Sequence, residues 1–120
     1  AAAAARSAGA TVHEAACYIA INGPQFSTRA ESRLYQAWGA DIIGMTAMPE
    51  ARLAREAELP YALVGMITDY DCWHEGGDVD VAQIMAVMAG NAARARAMVT
   101  ALCASLPAAR PASPIDTVLD

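Results

Sequence analysis

Apolar positions along this chain fall into short continuous runs separated by longer stretches at helical spacing. Ala1 to Ala10 reads as the end of a helix closed by Gly9. Cys17-Tyr18-Ile19-Ala20-Ile21 predicts a short buried strand, stopped by Gly23-Pro24. Thr28 with Glu31 three residues on is a capping box, which opens a helix carrying Leu34, Tyr35 and Trp38 and closing at Gly39. Ile42-Ile43-Gly44-Met45 predicts a second strand. Pro49 suits the first turn of a helix, with Glu50 near its positive end. On that helix Leu53, Ala54 and Ala57 form the expected inward face, with Arg52 and Glu56 on its surface, and Leu59-Pro60 ends it. Tyr61 to Ile67 predicts a third strand. Gly76-Gly77-Asp78 reads as a flexible turn before a long helix with Val81, Ile84, Met85, Met88, Ala92, Ala95, Val99 and Leu102 at helical spacing. That helix is expected to end near Ser105.

Strands alternating with helices define an α/β fold, in which binding sites gather at the carboxyl ends of the strands. The Gly23-Pro24-Gln25-Phe26 turn, Met45-Thr46 and Thr68-Asp69 all fall at such ends. The tail from Leu106 to Asp120, with Pro107, Pro111 and Pro114, has no periodicity and reads as irregular surface chain.

At 120 residues there is room for one modest domain and not for two. A hydrophobic content of 56% with mean hydropathy +0.25 is unusually apolar for a free-standing soluble domain and points to surface meant for other parts or partners. The net charge of −5 supplies no basic stripe for nucleic acid, and Arg94, Arg96 and Arg110 read as scattered and solvated. No apolar run has the length of a membrane span, so neither a nucleic-acid nor a membrane partner is expected and the cytosol is the default compartment. Cys17, Cys72 and Cys103 lack metal-ligand spacing and read as reduced, partly buried and idle; His13 and His74 read as structural or surface residues, and no metal is expected.

Thr68-Asp69-Tyr70-Asp71-Cys72-Trp73 carries the chemistry. Alternate residues of a strand share a face, so Asp69 and Asp71 would emerge side by side. Ionised carboxylates only accept hydrogen bonds, which suits a ligand edge with adjacent N–H donors, and their repulsion favours one of them holding a proton. The same pattern also fits a solvated turn. The rest of the chain separates the two readings.

Asn22-Gly23-Pro24-Gln25-Phe26-Ser27-Thr28-Arg29-Ala30-Glu31-Ser32, Trp38-Gly39-Ala40-Asp41-Ile42-Ile43-Gly44-Met45-Thr46, Pro49-Glu50, Leu53-Ala54-Arg55-Glu56-Ala57 and the Asp-Tyr-Asp stretch stand in order. From about Thr11 to Ser105 the chain resembles the trimeric purine nucleoside phosphorylase family, and within it the C-terminal half of the S-methyl-5′-thioadenosine phosphorylases. The resemblance implies part of a three-layer phosphorylase/hydrolase-like sandwich with a mixed central sheet, residues 1–105 being half of a nucleoside phosphorylase domain and 106–120 a tail. It implies a homotrimer in the full-length family. The implied reaction converts 5′-methylthioadenosine and phosphate to adenine and 5-methylthioribose 1-phosphate, a step of methionine salvage, with phosphate as co-substrate and no cofactor.

By the same resemblance Phe26 packs on the purine, Met45 lies beneath the ribose, and Thr46 contacts phosphate or sugar. Asp69, preceded by Thr68, serves purine N7 as the acid, and Asp71 accepts from the 6-amino group. Asp69 and Ser27 stand where relatives acting on 6-oxopurines carry Asn and Glu, which implies a 6-aminopurine. Val81, Ile84 and Met85 align with the wall that receives the methylthio group; taken as residues alone, that trio also fits plain helix core, as Phe26 and Met45 fit rim packing. Relatives often carry Glu at Asn22 and Gly-Gly-Thr at Ala15-Ala16-Cys17. The family's Gly-rich phosphate loop, its Arg-His pair and a further phosphate-binding Thr belong to a half that these 120 residues lack, so little phosphorolysis is expected of them alone. Two alternatives stand beside this one: a nucleosidase using water, and a non-catalytic remnant that binds adenine nucleosides or packs on a full-length subunit.

Overall fold

The computed structural model describes residues 1–70, 72 and 81–119, with Val81 described in its backbone alone. In chain order the elements are α1 (Ala2–Ser7), β1 (Tyr18–Ala20), α2 (Arg29–Ala37), β2 (Ile42–Gly44), α3 (Ala47–Glu56), α4 (Val81–Ser105) and a 3-10 turn, Pro114–Thr117. Helix α1 ends where expected, with Gly9 at φ 78°.

β1 and β2 pair in parallel, Tyr18 opposite Ile42, Ile19 opposite Ile43 and Ala20 opposite Gly44. A parallel pair needs a crossover, and α2 provides it. The register is fixed ahead of the strands by Asp41: its N–H donates to the Cys17 carbonyl at 2.9 Å, and its carboxylate accepts from the Cys17 N–H at 2.6 Å. One residue further the Ile21 N–H donates to the Gly44 carbonyl. Gly44 is required by packing, because a Cβ there would lie 2.1 Å from the Tyr18 hydroxyl and 2.9 Å from its Cζ. The Tyr18 ring lies across the bare backbone of β2, covering glycine with an aromatic from the neighbouring strand.

The capping box at α2 is complete. The Glu31 N–H donates to Thr28 Oγ1, while the Thr28 N–H and hydroxyl both donate to Glu31 Oε2 at 2.7 Å. These bonds, the backbone one first, hold the Glu31 carboxyl below the ordinary glutamate range. Trp38 caps the other end and Gly39, at φ 85°, turns the chain out, as the sequence predicts. Helix α3 is kinked: Met48 leaves the helical region (φ −115°, ψ 133°), so regular winding starts at Pro49.

Three expectations need correction. Tyr61 to Ile67 forms no ladder with β1 or β2, since backbone N–H and C=O groups make a strand only against a neighbour, and none flanks it among the described residues. Gly65 nonetheless rests on β2, 3.2 Å separating its ideal Cβ from Ile42 Cδ1, and the Asn91 side chain of α4 donates to the Ile67 carbonyl at 3.0 Å. The face of α3 expected to point inward is open, with Leu53 56% exposed, because nothing described packs over it. The tail is not irregular throughout: Ser113 and Asp116 close a capping box on the 3-10 turn, and Arg110, far from solitary, pairs with Asp116. Hydrogen bonds from Arg110 and then from the Ser113 backbone hold Asp116 below the ordinary aspartate range.

Among the described residues the buried set is small: Ala4, Ala5, Ala47 and Ser32. The two alanines lie on α1, which packs against α4. The accessible surface is 9112 Å², whereas a complete monomer of this mass exposes about 6,200 Å². The radius of gyration is 16.7 Å, against about 13.6 Å for a compact domain of this length. Both numbers favour the reading of surface meant for cover over that of a finished core. No helix among the described residues is long and apolar enough to cross a membrane.

Candidate nucleoside site

The turn after β1 is shaped by Gly23, whose φ of 67° is open to glycine and costly for other residues. Met45, leaving β2, tucks beneath that turn with its Sδ 3.1 Å from where a Gly23 Cβ would stand. The carboxyl ends of the two strands therefore meet at one rim, as the order of motifs predicts. Between the turn and α2 lies a cleft of about 300 Å³, lined by Asn22, Gly23, Phe26, Ser27, Glu31 and Tyr35 among others. Phe26 is 85% exposed. It is the most exposed of the large apolar side chains among the described residues.

Ser27 is half-buried, and its Oγ lies 2.8 Å from the Oγ of Ser32. Ser32 sits one turn into α2 and is 2% exposed. The Cys72 thiol reaches this pair from a distant part of the chain, donating to the Ser27 carbonyl at 3.6 Å and lying 3.7 Å from Ser32 Oγ. The expectation of partly buried cysteines is thus corrected: all three are exposed, none of them in a disulfide, and Cys72 makes hydrogen bonds. Asp69, three residues before Cys72, does not itself line the cleft.

Thr68 is half-buried and donates its hydroxyl to Asp69 Oδ2 at 2.7 Å; Asp69 is exposed. Thr46 is exposed at the N-cap of α3, and its side chain makes no capping hydrogen bond there. Ile84 is half-buried on the first turn of α4, while Met85 is 61% exposed. Neither lines the cleft beside Phe26. Asp71, His74, the side chain of Val81 and the Gly76-Gly77-Asp78 turn lie outside the described residues. Phe26 and Ser27 share the cleft with Met45 beneath its turn, while Thr68 with Asp69 and the α4 residues stand apart from it.

Sequence reasoning missed Ser32, Cys72 and Asn91. Ser32 left a faint signal, a small polar residue on a helix whose other inward positions are large. Cys72 and Asn91 left none, because their partners are remote in the chain.

A parallel strand pair joined by a capped helix, with a polar cleft and an exposed aromatic at the strand ends, puts the chain in the mixed α/β class. The profile of the phosphorylase superfamily matches residues 1–104, and the chain belongs to that family. It is 53% identical over 120 residues to S-methyl-5′-thioadenosine phosphorylase of Cereibacter sphaeroides, covering 98% of this chain and 41% of that protein. With the enzyme of the same name from Geobacter sulfurreducens the identity is 54% over 98 residues, 81% of this chain and 34% of that one. Among solved structures, a methylthioadenosine phosphorylase from an Antarctic soil metagenomic library superposes with TM-score 0.77 at 44% identity, over 98% of this chain and 42% of the other. A variant of the adenosine/methylthioadenosine phosphorylase of Schistosoma mansoni, in complex with adenine, gives 0.72 at 37% identity over 85% and 36%. The chain therefore spans about two fifths of the length of these relatives.

Proposed function

We propose that this chain carries the purine- and ribose-facing part of a 5′-methylthioadenosine phosphorylase site. The observation that supports the reading is identity of 53% along almost the whole chain with a protein of that activity, together with a structural relative that holds adenine. In the whole protein the two strands here belong to a larger mixed sheet in a three-layer sandwich. Residues 1–105 form the nucleoside-binding half of that domain and 106–120 its tail, and the whole assembles as a cytoplasmic homotrimer.

The reaction breaks the C1′–N9 bond of 5′-methylthioadenosine and forms a bond from a phosphate oxygen to C1′, giving adenine and 5-methylthioribose 1-phosphate. Electrons of the breaking bond pass into the purine, and a proton delivered at N7 neutralises them. Such general acid help contributes roughly 10² to 10⁴ in rate. Asp69 is the residue for N7, held by the Thr68 hydroxyl; Asp71 accepts from the 6-amino group. Phe26 stacks on the base, Ser27 faces its six-position, Met45 supports the ribose, and Thr46 contacts phosphate or sugar. Val81, Ile84 and Met85 receive the methylthio group once that part of α4 is covered. Phosphate is the co-substrate, and the reading calls for no cofactor.

Calorimetric titration of 5′-methylthioadenosine and of inosine into the 120-residue chain tests this. The expected result is selective binding of the adenine nucleoside, weakened about 10- to 100-fold by Asp69→Asn, the worth of a hydrogen bond to a charged group. Binding of neither nucleoside, or equal binding of both, sinks the reading. Turnover by the chain alone is expected to be small, and if it occurs, release of free methylthioribose in place of its 1-phosphate would favour a nucleosidase.

A further inference from the structure

From Tyr61 to Asp69 the backbone makes one hydrogen bond among the described residues, to the Asn91 side chain, which donates to the Ile67 carbonyl at 3.0 Å. A carbonyl oxygen only accepts, so the amide nitrogen is the end of Asn91 that meets it. Gly65 rests on Ile42, and no ladder among the described residues holds the segment. Where Ile67 stands, and with it Thr68 and Asp69, is therefore set from α4. On that helix Ile84, Asn91, Ala95, Met98 and Leu102 are half-buried, and at the helical period they fall on one face. Asn91 is the polar member of this apolar stripe, and the bond to Ile67 is the partner that a polar group needs there. Ile84 stands two turns away on the same face, about 10 Å along the axis.

We propose that Asn91 is a positioning residue: through the Ile67 carbonyl it fixes Asp69 at a set distance from Ile84, so that one ligand meets both. The inference rests on the purine reading above, which gives Asp69 to purine N7 and Ile84 to the methylthio group, and adds to it the part that joins the two. With the tie in place the two ends are ordered before the ligand arrives. Without it, a nucleoside that engages both ends must order the joint itself, and one that engages a single end need not.

The test titrates three nucleosides into the wild-type chain and into Asn91→Leu, Asn91→Asp and Asn91→Gln. They are 5′-methylthioadenosine, its 7-deaza analogue, which has C–H in place of N7, and 5′-deoxyadenosine, which lacks the methylthio group. Asn91→Leu is expected to weaken 5′-methylthioadenosine about fivefold to tenfold, the worth of fixing the backbone of about one residue, and the other two less than about twofold. Asn91→Asp keeps the shape but, ionised, offers the carbonyl no donor and is expected to match Asn91→Leu. Asn91→Gln, which keeps the amide N–H, is expected to lie nearer wild type. Equal weakening of all three nucleosides is what a merely structural residue gives, and it overturns the proposal, as does no weakening of any. A second readout needs no ligand: the carbonyl carbon resonance of Ile67 and the carboxyl carbon resonance of Asp69 are expected to move together in Asn91→Asp, with the resonances of Tyr18 to Gly44 unchanged. A shift at Ile67 with none at Asp69 overturns the positioning. Failure of the wild-type chain to bind any of the three overturns the purine reading and the ligand preference with it. In that case a joint shift of Ile67 and Asp69 still upholds Asn91 as the residue that places Asp69.

Discussion

The stretch from Tyr18 to Gly44 is the less apolar of two regions, yet it is more complete than the stretch from Tyr61 to Ser105. In the first, each structural need is met nearby: β1 has β2, α2 has its capping box, and Asp41 clasps Cys17. In the second, Tyr61 to Ile67 has no ladder, and α4 leaves Met85 and Val99 at least half exposed. The first unit is closed by hydrogen bonds among its own residues and the adjoining Cys17, that between Cys17 and Asp41 spanning 24 residues. The second depends on area, and area comes from neighbours. The proposed nucleoside site would draw on both, with Phe26 and Ser27 from the closed unit and Asp69 from the open one.

That contrast can be broken most forcefully at Gly44. Gly44→Val places a branched side chain where the Tyr18 ring lies, and overpacking of this kind costs about 1–3 kcal/mol. A lower denaturation midpoint, partly restored by Tyr18→Ala in the same chain, is the expected result; no shift would mean that the strand pair is not the rigid part. Next in size, Thr28→Ala removes the cap of α2 and is expected to cost about 1 kcal/mol, read by the same denaturation curve. Asn91→Leu strips the Ile67 carbonyl of its donor and should cost less in global stability. Its signature is faster amide hydrogen exchange confined to residues 61–70, with Tyr18 to Gly44 unchanged. Equal acceleration in both stretches would erase the distinction.

The smallest effects are in pH, and they have opposite signs in the two regions. The folded value of Glu31 lies below its ordinary one, so the contribution of its cap is complete above the ordinary glutamate range and fades as pH falls through and below it. Tyr61 is shifted upward, by desolvation first and then by its hydrogen bond to Glu50. Its contribution is complete below the ordinary tyrosine range and is lost as pH rises through and beyond it. Backbone resonances of α2 should respond to acid and those around Tyr61 to alkali.

Legibility in the sequence follows the same division. The cap at Thr28 was readable because Glu31 stands three residues away, and Gly39 because a turn is a local demand. The strand pair was readable from its apolar runs. Periodicity announced a third strand as well, but it reports what a segment is made of and not what lies beside it. The rim carrying Phe26, Ser27 and Met45 followed from strand polarity. Cys72 did not, since its partners Ser32 and Ser27 lie 40 and 45 residues back, a separation at which one sequence carries no trace of contact.

Helix α1 touches α4 and is only six residues long. A helix of that length does not persist unaided in water. Its cover comes from α4, across a loop whose closure costs entropy at the outset. Helix α1 is therefore ordered no earlier than α4, and the chain cut after residue 80 should show α1 residues exchanging their amide hydrogens as freely as an unfolded peptide.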